Sequence, residues 1–199
     1  MSVLIFIDSS EGHVKKASLE AISYGAAIAK QLNTTAEGVV LGSATDDLAA
    51  LGKYGVKKIH QVNNDLLDHV DSQVYTSVIA QVAESTGAKV IVFSNNVDGK
   101  AVAPRLSARL KAALVSGAVA LPDASKGFVV RKTVFSGKAF ANISLNTDIK
   151  IIAFSITNSR REEERALEAG AHAFVSKLSS IVELKKVLHD MQEPAGIDC

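Results

Sequence analysis

Cysteine is all but missing from these 199 residues, the single thiol being Cys199 at the last position. No internal disulfide can form, and a thiolate metal centre would need ligands from elsewhere. Charge of one sign is lacking too: 22 Lys and Arg stand against 21 Asp and Glu, for a net charge of +1. With no basic block to attract a polyanion, neither nucleic acid nor a membrane surface is expected as a partner. No apolar run approaches the about 20 residues that a membrane helix needs. The opening run Met1 to Ile7 is apolar but short and carries no basic residue. It reads as a strand and not as a signal peptide, so a cytoplasmic location is expected. The five histidines (His13, His60, His69, His172, His189) include no i, i+4 pair, and no serine sits in a Gly-x-Ser-x-Gly elbow. A histidine metal site and a nucleophilic triad both lose their usual signatures, and no enzyme activity is expected.

What is present is a regular alternation. Apolar residues make up 47% of the chain and charged residues 22%, the balance of a packed domain and not of a disordered chain. Val3 to Ile7, Ala36 to Leu41, Lys57 to Val62, Lys89 to Ser94 and Leu114 to Leu121 read as strands. Between them, residues 14–32, 70–86 and 100–112 carry apolar side chains at helical spacing, and Asp46 to Leu51 forms a short helix ended by Gly52 and Gly55. Gly87 stands where a helix C-cap takes glycine. Strands separated by helices of this length imply right-handed crossovers and parallel pairing. Residues 127–135 and 138–145 then alternate with period two around Ser136-Gly137, the mark of an antiparallel hairpin. Ile149 to Ile156 is one more buried strand. The expected fold is a three-layer α/β domain of flavodoxin-like or Rossmann-like kind, with a mostly parallel sheet, helices on both faces, and the hairpin extending or edging the sheet.

The most informative stretch is Asp98-Gly-Lys100-Ala-Val-Ala-Pro104-Arg105-Leu-Ser-Ala-Arg109-Leu110, entered from the strand Val90 to Ser94 through Asn95-Asn96-Val97. This step from strand to loop to Ala-Pro-Arg-Leu helix resembles the amino-terminal domain of the electron transfer flavoprotein alpha subunit. The resemblance covers residues 1–156 and includes the Ser-Gly-Lys-Ala turn at 136–139 and the strand that follows it. It implies a domain that packs on a beta-type subunit and shapes a flavin site, while most of the FAD is held by a second domain. Residues 157–199 contain no Gly-rich phosphate loop, their glycines being Gly170 and Gly196. No FAD site is therefore expected in this chain.

The tail resembles something else, the last third of a response-regulator receiver domain, over residues 149–193. Ile151 to Ser155 is similar to the receiver's fourth strand with its hydroxyl, and residues 172–177 to its fifth strand with its lysine, Lys177. The Lys-Pro pair of that family is here Lys177-Leu178. Its phosphoacceptor chemistry is missing: the first strand ends in the single Asp8, and the third and fourth end in Asn63 and Asn95, amides that can neither accept a phosphoryl group nor balance Mg²⁺. Ser155 and Lys177 would be remnants. Two resemblances sharing one strand suggest a chimera, with a receiver-like αβα tail of residues 157–199 packed on the same sheet.

Candidate binding residues follow from the fold class, since open α/β sheets take ligands at the carboxyl ends of their strands. Ser9 and Ser10 lie there after the first strand, although capping of the next helix is the simpler role for them. Asn95, Lys100 and Arg105 lie beside the fourth strand's end, where a helix N-terminus and two cations would favour an anion. Arg105 and Arg109 read alternatively as helix-face residues whose stems cover apolar surface. Beside the flavoprotein-domain reading stand two others: an adenine-nucleotide-binding domain, for which AMP is the test ligand, and a receiver-like signalling domain without a phosphoacceptor.

Overall fold

The computed structural model describes residues 2–125, 127–135 and 138–155. The chain divides into two compact units, residues 1–132 with 141–156 and residues 133–140 with 157–199. Of the second unit, the described residues are 133–135 and 138–140, at the facing ends of the hairpin strands. The expectations for the tail, Lys177 and the placement of residues 157–199 among them, lie outside the described residues, as does the Ser136-Gly137 turn.

The strands are β1 (Ser2–Phe6), the short β2 (Ser9–Ser10) and β3 (His13–Val14), β4 (Thr35–Leu41), β5 (Lys58–Val62), β6 (Ala88–Ser94), β7 (Ala113–Ala118), β8 (Val129–Val134), β9 (Ala139–Ser144) and β10 (Lys150–Phe154). The helices are α1 (Lys16–Gln31), α2 (Ser72–Thr86) and α3 (Val97–Leu110), with 3-10 turns at Leu48–Tyr54 and Asp65–Leu67. Eight strands form one sheet in the order β5-β4-β1-β6-β10-β7-β8-β9. Every pairing from β5 through β7 is parallel, and β8 joins β7 antiparallel through Ala118 and Lys132. The hairpin therefore edges a parallel sheet, as its alternating pattern predicts. Strand order reverses at β1, which has β4 on one side and β6 on the other.

Continuous apolar runs make sense here because both faces of the sheet are covered. All five residues of β1 are buried. Val3, Ile5 and Ile7 point into one core layer with Ile22 and Ile28 of α1. Leu4 and Phe6 point into the other, with Ile79 of α2 and Val102 and Leu106 of α3. Val92 and Phe93 of β6, and Ile152 and Ile151 of β10, divide between the layers in the same way. Burying each such side chain contributes about 1.5–3 kcal/mol.

Element ends differ from the sequence expectation where polar side chains intervene. Helix α1 starts at Lys16 and not at Val14, because His13 and Val14 are drawn into β3. Helix α3 starts at Val97, three residues earlier than its apolar spacing suggests, because the Asn96 carboxamide oxygen accepts from the Gly99 N–H at 2.9 Å and caps the first turn. Gly87 does close α2, in the left-handed conformation with φ 62°. Pro104 lies inside α3 as its eighth residue, where a missing N–H and ring crowding weaken a helix by about 3 kcal/mol. Packing of Val102, Ala103 and Leu106, all fully buried, holds the helix through it.

Candidate functional site

The carboxyl ends of β1 and β6 meet where the strand order reverses, the usual place for a ligand in such a sheet. What stands there is a charge network. Asp8 lies two residues beyond the end of β1 and is only 2% exposed. Its carboxylate accepts a hydrogen bond from the Asn96 amide at 2.7 Å and pairs with the Lys15 ammonium at 3.0 Å. The same ammonium reaches Asp98, in the first turn of α3, at 2.8 Å. One cation thus joins two carboxylates, and three elements (the β1 exit, the start of α1 and the start of α3) are tied at one point. Burial pushes the Asp8 carboxyl above its ordinary range, and Lys15 and Asn96 offset this only in part. Burial pulls the Lys15 ammonium down, but its bonds to Asp98 and Asp8 outweigh that and leave it raised.

Ser9 and Ser10 lie next to this network in a different role from the capping one. They pair with Val14 and His13 as a miniature antiparallel hairpin, so neither caps α1. Ser18 braces that junction instead: its buried hydroxyl accepts from the Asp8 N–H and donates to the Asp8 carbonyl, both at 2.9 Å. The hairpin is fastened to the loop after β4 by Asp46. That carboxylate accepts from the Val14 N–H at 2.7 Å and lies 2.9 Å from the His13 Nδ1. The bonds from His13 and Val14 hold the Asp46 carboxyl below its usual range.

The remaining predicted residues do not converge on one point. Asn95 is half-buried; its N–H donates to the Phe154 carbonyl at 2.8 Å, and its side-chain oxygen is buried without a hydrogen-bond partner among the described residues. Ser155 donates its N–H to Ala118 at 2.9 Å at the neighbouring end of β7. Lys100 and Arg105 are both exposed on α3. Five residues apart, they lie about 140° apart around the helix and make no joint cation site. Arg105 turns back to its own helix, donating to the Ala101 carbonyl at 3.0 Å, and Arg109 donates to the Ser77 hydroxyl at 3.3 Å. The positive end of α3 is already faced by the chain's own Asp98.

Lys15, Ser18 and the partnership of Asp8 with Asn96 and Asp98 were missed by sequence reasoning. Asp8 and Asp98 were visible as residues, but they are 90 positions apart, and only the parallel pairing of β1 with β6 brings them together.

With this geometry in hand, comparison with known proteins is decisive on the family: the model of the electron transfer flavoprotein domain matches residues 3–177. The chain belongs to the electron transfer flavoprotein family. Several of its relatives are alpha subunits of that family. The electron transfer flavoprotein subunit alpha of Bacillus subtilis is 26% identical over 200 residues, an alignment covering 98% of this chain and 60% of that protein. The subunit from Mycobacterium tuberculosis is 28% identical over 173 residues, covering 87% of this chain and 52% of that one. Protein FixB of Clostridium saccharobutylicum is 25% identical over 144 residues, covering 71% and 43%. The chain thus spans less than two thirds of these relatives. Among solved structures, the universal stress protein of Archaeoglobus fulgidus in complex with dAMP is 14% identical, with a TM-score of 0.37 over 53% of this chain and 90% of that one. That likeness is too low to bear on function. The described residues form an α/β domain like the amino-terminal domain of an electron transfer flavoprotein alpha subunit. Among them no helix is long and apolar enough to cross a membrane, and no group of three or more His, Cys, Asp or Glu is arranged to hold a metal ion.

Proposed function

We propose that this chain works as the subunit-contacting, non-catalytic half of an electron transfer flavoprotein alpha subunit, docking on a beta-type subunit in the cytoplasm without itself holding FAD. The observation that carries the reading is the family match over residues 3–177 together with a sheet crest filled by the chain's own side chains. At the strand-order reversal, where this kind of sheet takes a dinucleotide or mononucleotide phosphate, Asp8 occupies the centre and the nearest cation, Lys15, is engaged by two carboxylates. A phosphate brought there would meet net negative charge. This supports a scaffold role over AMP binding at the crest, and neither catalysis nor nucleic-acid binding is part of the reading.

The receiver-like reading of residues 149–193, and with it a hybrid origin and a tail packed on the same sheet, rests on sequence resemblance alone. The family match through residue 177 and the Bacillus subtilis alignment over 98% of the chain support a single-family origin for most of that stretch. Ser155 and Lys177 are then ordinary residues of the domain, and beryllofluoride with Mg²⁺ should leave the protein's spectra unchanged.

The test is direct. The purified chain should be colourless, and FAD added in excess should be lost on gel filtration. Mixed with a beta-type subunit of the family, the chain should co-elute with it. Arg105→Ala, on an exposed helix face, should leave stability within about 0.5 kcal/mol of the parent. A stoichiometric yellow cofactor that survives gel filtration would overturn the proposal.

A further inference from the structure

Among the described residues, a concavity beside the sheet crest has no part in this role. A cleft of about 500 Å³ opens beside the β2–β3 hairpin, between it, the end of β4 and the start of α2, within the size range of small-molecule sites. Its floor is apolar, formed by Leu41, Leu67 and Tyr75, all buried. Its rim is polar, with Glu11 from the hairpin turn and Asp68 from the segment before α2. Asp68 is fixed in place: one carboxylate oxygen accepts from the Ser43 N–H at 2.7 Å, and the other lies 3.3 Å from the Ser43 hydroxyl. An ionised carboxylate has about four acceptor sites, so both oxygens keep capacity for another donor.

The titratable groups lining the cleft are Glu11, Lys15, Asp68, His69 and Tyr75. Lys15 gives little positive field, since its ammonium is held between Asp8 and Asp98. Tyr75 senses the result. Its phenol donates to the Leu67 carbonyl at 2.6 Å, and its pKa is raised, first by burial and then by the charges of Asp8, Asp98 and Asp68, with Lys15 opposing. Around the floor, the carboxylates of Asp8, Asp98 and Asp68 outnumber the single Lys15 ammonium.

We infer that this cleft binds a small organic cation, a primary ammonium on an apolar body, with the ammonium at the Asp68–Glu11 rim and the body on Leu41, Leu67 and Tyr75. The chemistry selects against phosphate esters, which would meet two rim carboxylates and no disengaged lysine. It also selects against a neutral molecule of the same shape, which would leave the rim carboxylates with water alone. The site is independent of the subunit-contact role, and either can fail without the other.

Three probes of graded charge separate the outcomes: tryptamine as the ammonium, tryptophol as its neutral analogue, and AMP as an anion, each titrated into the full chain at pH 7 and followed by backbone amide NMR. Tryptamine should shift the signals of Ser9 to Gly12, Ser43, and Asp68 to Val70. Tryptophol should bind about tenfold more weakly, the loss of one favourable charge interaction at a partly desolvated rim. Glu11→Gln should weaken tryptamine several-fold with an unchanged melting temperature. Asp68→Asn should weaken it further; because that change also touches the Ser43 contacts, the Glu11 variant keeps the test sound if Asp68→Asn loosens the loop. Equal binding of tryptophol, stronger shifts with AMP, or no response to tryptamine at about 10 mM would each overturn the assignment.

Discussion

Lys15→Met removes the ammonium that joins Asp8 to Asp98 and keeps most of the apolar stem. Asp8 is 2% exposed and would retain the Asn96 amide as its side-chain donor. Removing one member of a fully buried ion pair destabilises by about 3–5 kcal/mol, because the other charge stays buried and uncompensated. The Lys15 side chain is 35% exposed, so water can enter the vacated position and the loss should be smaller, about 2 kcal/mol at pH 7. For a chain of this size that lowers the melting temperature by roughly 4–8 °C. Urea unfolding at pH 4 and pH 7 is the informative assay. With its counter-charge gone, the Asp8 carboxyl should rise further, so the penalty should be smaller at the lower pH, where more of Asp8 takes up a proton, and larger at the higher. In an Asp8→Asn background the same lysine change should lose only the half-exposed contact with Asp98, about 0–1 kcal/mol. An equal penalty with and without the Asp8 carboxylate, or one that does not vary between the two pH values, would refute the account of Lys15 as the neutraliser of a buried charge.

Two further outcomes follow from the same region. A Cβ at Gly99 would lie 2.0 Å from the Ser94 carbonyl oxygen; Gly99→Ala should therefore force α3 off the end of β6 and destabilise the domain by more than about 2 kcal/mol in denaturant titration, whereas Ala is normally the better helix former. Stability against pH should show two opposed contributions. Asp8, raised above its ordinary 3.8, adds stability that is fully present below that value and is lost as pH rises through its folded-state pKa. Asp46 and Asp71, lowered from the same value, add stability above it that is lost as pH falls through their depressed pKa values. Asp8→Asn should flatten the first limb and Asp71→Asn the second, as followed by thermal melts between about pH 2 and 7.

The fold was largely readable because the core is built from strong local patterns. Apolar runs such as Val90 to Phe93 can only be strands buried on both faces, and the helical spacing from Ala21 to Ile28 allows one element type. The hairpin showed in the period-two alternation around residues 136–137. Element ends were less readable because they depend on single polar contacts: the Asn96 cap moves the start of α3 by three residues, and a two-residue pairing to His13 and Val14 delays α1. The site was the least readable part. Its components are short polar side chains in loops, drawn from positions 8, 15, 18, 96 and 98, and no periodicity links them. Only after β1 and β6 pair in parallel do Asp8 and Asn96 come within 2.7 Å. Lys100 and Arg105 drew notice because charge beside a helix start suggests an anion, yet the helix start had already taken Asp98 from its own first turn.

The place of β10 has a consequence for how the protein is made. This strand, the latest of the sheet in chain order among the described residues, is inserted between β6 and β7, which end more than 30 residues before it begins. Neighbouring strands lie about 4.8 Å apart, so β6 and β7 stand a full strand's width from each other and cannot close the gap between themselves. Until residue 154 has left the ribosome, the nascent chain carries two open strand edges facing one empty slot in the middle of its sheet. Such edges are templates for any extended segment nearby, including the same segment of another nascent chain. The chain therefore stays at risk of mispairing until that strand emerges, and a single short strand ends the exposure on both sides at once.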